Sequence, residues 1–182
     1  MTVCHPEAVL HFWFERLGPE QRFVKDAAID ECIRREFFAT WQAAAQGELS
    51  AWRERLSGRL AEIIVLDQFS RNLWRGDALS FAQDGMALAL SQEAQKQAGF
   101  AALNQAEHQF LLMPMMHSES LAIQDASLPL FARFCDDNTL DFAQRHRDIV
   151  AEFGRFPHRN AVLKRSNTAT EQAFLSQPNS SF

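Results

Sequence analysis

Ser57-Gly58-Arg59-Leu60-Ala61-Glu62-Ile63-Ile64-Val65-Leu66-Asp67-Gln68-Phe69-Ser70-Arg71-Asn72 is the stretch whose reading decides the fold class. Leu60, Ile63, Ile64, Val65, Leu66 and Phe69 make an apolar band too wide for a helix that lies on a surface. Such a helix has to be covered on more than one side, which places it at the centre of a helical domain. No strand-like alternation persists beyond a few residues anywhere in the chain.

The punctuation around this stretch is that of helices. Pro6 suits a first helical position and Gly18 a helix end. Asp26 and Gly47 bracket a helix in which Ile29, Cys32/Ile33, Phe37 and Trp41 recur at three- and four-residue steps. Ser50 opens a short helix carrying Trp52, and Gly76 closes the central one. A helix is expected from Ser80 to Gln97, ahead of Gly99. Asn104-x-x-Glu107 starts another as a capping box. Pro114 is expected to kink or break that helix, with helix resuming near Ser118 towards Phe134. Thr139 should open the next, with Phe142, Ile149, Val150 and Phe153 inward. Pro157 begins a short helix, and the capping box Thr168-x-x-Glu171 begins the last. The expectation is an all-α domain over residues 1–176 with about 8–10 helices and no sheet, followed by a frayed polar tail, 177–182.

The totals agree. The chain has 182 residues, 47% of them hydrophobic, a size and composition that suit one domain. Its 16 Phe and 4 Trp without a Tyr put the aromatic mass in the core. A net charge of −5 argues against nucleic-acid and anionic-membrane partners. No apolar run approaches the ~20 residues of a membrane span. Cys4, Cys32 and Cys135 form no Cys-x-x-Cys pair, which is read as reduced thiols in the cytoplasm. No two of the six His lie three or four residues apart, so no helical metal site is signalled, and no cofactor motif is present.

Three polar segments interrupt the apolar pattern. In Asp67–Gly76, Asp67 and Arg71 share a helix face with Arg75 continuing it, and Asn72 lies between them. This is either a guanidinium pair oriented by Asp67 towards a cleft or a salt-bridged helix end. In Met113–Glu119, three consecutive residues cannot face one point as a triad, but His117 and Glu119 could act separately as base and orienter. The alternative has Ser118 capping the next helix. The third segment, Arg145–Arg165, holds six basic residues against Asp148 and Glu152. If Pro157 opens a helix, His158 and Arg159 lie at its positive end among free N–H groups, which an anion would favour. The alternative is that Arg159 pairs with an acidic residue elsewhere. His146 sits on an apolar stripe and reads as a hydrogen-bonded core residue.

Asp67–Gly76, Met113–Glu119 and Phe153–Asn160 together resemble the bacterial family known as domain of unknown function 924. Val9–Phe14, the Asp26…Arg34 stretch and Arg165…Leu175 are similar to it too. The resemblance implies a tetratricopeptide-like right-handed helical superhelix and no established activity. The family pattern has an acidic residue at His11, an aromatic at Arg22, a glycine at Lys164 and a serine at Asn167. Lys164 in place of glycine argues against a close backbone approach there.

These readings converge on a pocket for a small anionic ligand, phosphate or carboxylate. Asp67, Arg71, Asn72, Arg155, His158, Arg159 and Asn160 would form it, with His117 and Glu119 as acid–base groups. Two alternatives stay open. One is a module binding a peptide or protein partner on a concave face. The other is a purely structural ion network.

Overall fold

The protein, described here from a computed structural model over residues 2–178 and 180, is helical throughout, with no strand among the described residues. The helices are α1 (Pro6–His11), α2 (Ala27–Ala45), α3 (Leu56–Ile64), α4 (Ser70–Leu73), α5 (Asp84–Ala94), α6 (Gln105–Met116), α7 (Leu121–Phe134), α8 (Asp137–Phe153) and α9 (Ala169–Leu175). π-helical turns extend α1 through Phe12–Arg16 and join α3 to α4 through Val65–Phe69.

The central stretch behaves as its composition requires. Leu60, Ala61, Ile63, Ile64, Val65, Leu66 and Phe69 are fully buried. α3 packs against α1, α5 and α6, and α2 packs on α4 and on the π turn. α6, α7 and α8 then follow one another, each against the last. Rings tie the layers together: Trp13 meets Phe69 and Phe110 at centroid separations of 5.8 and 5.3 Å. Edge-on pairs of this kind add stability beyond the area they bury. Glu62 and Asp67 are the charged residues within the band. Asp67 belongs to the candidate functional site. Glu62 is fully buried, and Arg53 reaches it with two hydrogen bonds of 2.7 and 2.6 Å.

Gly58 explains how α3 starts. A Cβ there would lie 2.0 Å from the Trp52 carbonyl oxygen, so the 3-10 turn Ser50–Glu54 can fold back onto the helix only across a glycine.

The expected caps form. Asp26 accepts from the Ala28 and Ile29 N–H groups, and both capping boxes are complete. Several boundaries differ. Ser80 lies in a separate 3-10 turn, Ala78–Ser80, capped by Asp77, and α5 starts only at Asp84. Asp136, not Thr139, caps α8, with its carboxylate accepting from Thr139 N–H. Helix α7 starts after Ser120 rather than at Ser118. Pro114 does not break α6, which runs on to Met116. Pro114 forgoes the one bond its missing N–H would make back to Phe110, and the helix ends two residues later. Phe142 is exposed at 38%, and its stripe turns inward from His146 on, through Ile149 and Val150. Of the expected tail 177–182, Asn179, Ser181 and Phe182 lie outside the described residues. Gln177 N–H donates to Phe174 O, and Ser180 Oγ to Leu175 O.

Candidate functional site

The three polar segments meet. The central helix brings Asp67 inward on the π turn Val65–Phe69, where the carboxylate is fully buried. π turns of this kind recur at functional sites because they re-aim one side chain without ending the helix. Asp67 Oδ1 receives His117 Nδ1 at 2.7 Å and Arg71 at 3.2 Å, and Oδ2 receives Gln68 Nε2 at 2.6 Å. Burial alone would raise the Asp67 pKa. His117, Arg71 and the hydrogen bonds outweigh it and hold the carboxyl well below the usual carboxylate range.

His117 follows the last turn of α6. Burial, and then the Arg71 charge, push its imidazole below the ordinary histidine range, with Asp67 pulling the other way. The pair is therefore an ionised Asp67 and a neutral His117 whose Nδ1–H donates to it. In that tautomer Nε2 carries the lone pair. Arg71 donates to the Asp67 backbone oxygen and, through both terminal nitrogens, to Asp84 at 2.9 and 3.0 Å.

Asp84 then links this pair to the third segment. Arg159 donates to Asp84 Oδ2 and to the His117 carbonyl, each at 3.0 Å. Its guanidinium lies between the Phe81 and Phe156 rings, 4.5 and 4.7 Å from their centroids. The side chain is only 7% exposed, and burial pulls its pKa down. A guanidinium has five N–H donors. Arg159 spends two on the protein, and its Nε is buried without a hydrogen-bond partner.

A cavity of about 310 Å³ opens over these groups, lined on its polar side by Asp84, His117, Ser118, Glu119 and Arg159. The rest of its lining is apolar, with Phe81, Leu88 and Leu163 among its residues.

This architecture is shared. Residues 9–179 match the family described as bacterial protein of unknown function (DUF924). The chain belongs to the DUF924 family. A solved structure, the protein of unknown function ATU0120 from Agrobacterium tumefaciens, is 36% identical. It superposes with a TM-score of 0.89, covering 94% of this chain and 96% of that one. No curated protein matches the chain.

The remaining predicted residues of this DUF924 chain stand apart from the cavity or at its margin. Glu119 lines it, but both carboxylate oxygens are engaged by Arg165 (2.7 and 2.8 Å), and Oε1 also accepts from Phe156 N–H. Burial raises its pKa, and Arg165 and the Phe156 N–H outweigh that and lower it. Glu119 thus clasps the 153–165 segment. Arg155 reaches away to Glu171 and Ser166 O, bracing the start of α9. Asn72 and Arg75 both bind Asp30 on α2, so Arg75 does not continue the Asp67 face. Asn160 is buried between Asn167 and Arg165. His158 packs beside Phe156, and burial followed by the Arg159 charge pushes it down to about 4.

The helix-end argument for Arg159 does not hold. Pro157–Arg159 is a three-residue 3-10 turn, and the N–H groups of Arg159 and Asn160 already bond to Phe156 O and Pro157 O. Charge pairing with Asp84 gathers these groups instead. Asp84 and Phe81 were not singled out from the sequence. Neither belongs to a polar segment, and no spacing rule links Asp84 to arginines 13 and 75 residues away.

Proposed function

We propose that the protein binds a small anionic molecule in this cavity and moves a proton through His117. One observation carries the reading: Arg159 is a buried cation at the cavity wall with unused N–H donors. Leaving such donors unpaired is costly, and an anion would satisfy them with charge-assisted hydrogen bonds. Beside it, the ionised Asp67 orients His117 so that Nε2 can take a proton. A volume of about 310 Å³ suits a small metabolite.

The test is a thermal-shift screen of carboxylates and phosphates, followed by calorimetry in buffers of different ionisation enthalpy. A ligand at about 100 times its Kd adds ~2.7 kcal/mol. An anion beside His117 favours the imidazolium, so binding should take up protons near neutral pH, and His117→Asn should abolish the uptake. Gly85→Leu supplies a blocked control. Gly85 lines the cavity, and an added Cβ meets nothing within 4 Å. Binding unaffected by Gly85→Leu, or no binding by either anion class, would overturn the proposal. The alternative of a peptide-binding module on a tetratricopeptide-like superhelix gives no reason for Arg71, His117 and Arg159 to gather behind one cavity.

A further inference from the structure

We infer that the ligand is a monocarboxylate carrying a short aliphatic chain, with its carboxylate at Arg159 and its chain along Phe81, Leu88 and Leu163. This inference rests on the anion-binding reading above and decides between its two chemistries.

Charge makes the first distinction. The cavity wall carries two carboxylates, Asp84 and Glu119, and one guanidinium, Arg159. Arg71 and Arg165 pair with these carboxylates from behind, and Arg71 also holds Asp67, so three arginines and three carboxylates cancel with His117 uncharged. A phosphate brings about −1.5 to −2 charges against two carboxylates. A carboxylate brings one, and its planar oxygens match the fork of a single guanidinium.

Shape and polarity make the second. Apart from these ionic groups, His117 and Ser118, the lining is apolar: Ala78, Phe81, Ala82, Gly85, Leu88 and Leu163. Three of these are alanine or glycine, which leaves width beside the rings. Phe81 belongs to both halves, since it also carries the Arg159 guanidinium at 4.5 Å. An alkyl chain lying on Phe81 would keep water from that guanidinium and so strengthen its bond to the carboxylate. A compact polar anion would leave this wall wet and unused.

The experiment is a calorimetric titration at pH 7.5 with acetate, butyrate, hexanoate and octanoate, set against inorganic phosphate and butyl phosphate. Affinity should rise about fourfold per methylene until the cavity is filled, then level off. Butyl phosphate should bind at least tenfold more weakly than the carboxylate of equal reach. Gly85→Leu should flatten the chain-length series while leaving the circular-dichroism spectrum unchanged. Equal affinity for acetate and hexanoate, or phosphates binding as tightly as carboxylates, would overturn this inference and leave the anion-binding reading standing. Failure of every carboxylate and every phosphate would sink both.

Discussion

His117 Nδ1 and Asp67 Oδ1 lie 2.7 Å apart although 50 residues separate them in the chain. One sits on the central helix and the other just past α6. Their contact joins the first two polar segments and helps keep Asp67 ionised, while burial and the Arg71 charge keep His117 neutral against the pull of Asp67. At pH 7.5 a long-range 1H–15N spectrum should show His117 protonated at Nδ1 and bare at Nε2. Asp67→Asn removes a charge that supports the imidazolium, so the His117 midpoint should move to lower pH. An Nε2–H tautomer, or a midpoint that stays or rises, would contradict this assignment.

Arg71 is the cation that makes a fully buried Asp67 tolerable. Arg71→Ala leaves that carboxylate with only His117 and Gln68, and also strips Asp84 of a two-pronged partner. The expected loss is about 3 kcal/mol or more, read from urea unfolding. Arg71→Lys should recover only part of it, because one ammonium cannot serve Asp67 and both oxygens of Asp84 together. A loss below about 1 kcal/mol would mean that Asp67 does not depend on Arg71.

Acid should destabilise the protein before its carboxylates titrate. Burial pushes His146 down to about 3, and His158 is pushed down to about 4. Unfolded, both titrate near 6.5. A base with a lowered folded pKa binds more protons when unfolded, so stability is complete above about pH 6.5 and declines as pH falls below it. At pH 5.5 each histidine should cost on the order of 1 kcal/mol. Urea midpoints at pH 7.5, 6.5 and 5.5 measure the slope, and His158→Gln should reduce it. A midpoint independent of pH across this range would refute the argument.

Lys164 has φ 55°, in the left-handed region that glycine adopts freely. This backbone conformation accounts for the glycine that the family resemblance implies at the position. A side chain there costs roughly 1–2 kcal/mol, and the added freedom of unfolded glycine offsets about 0.4–1 of it. Lys164→Gly should therefore stabilise by about 0.5–1 kcal/mol, a rise in Tm of about 1–4 °C. A fall in Tm would show that the lysine side chain compensates for its own strain.

Much of this architecture is legible in the residues themselves. The band from Leu60 to Phe69 requires a buried helix wherever it occurs, and Asp26, Asn104 and Thr168 cap helices through atoms two or three residues away. Such contacts are local, so their spacing announces them. Asp67–Arg71 is of the same kind, one helical turn apart. Boundaries were less legible. Nothing in the spacing of Ala78–Asp84 separates a 3-10 turn from the start of α5, since the side-chain cap, Asp77, precedes the turn and Gln83 ahead of α5 caps nothing.

The site divides along the same line. The sequence by itself determined a helical domain, its central helix and the three polar segments that the apolar pattern could not absorb. Tertiary structure decided what those segments do. Asp84, absent from all three, gathers Arg71 and Arg159. Glu119, beside His117 in sequence, turns to Arg165, and Arg155 leaves for Glu171. Helix caps and stripes are set by neighbours within a few residues, whereas a buried charge takes whichever opposite charge the packed chain brings within about 3 Å, and that is known only once the helices are in place.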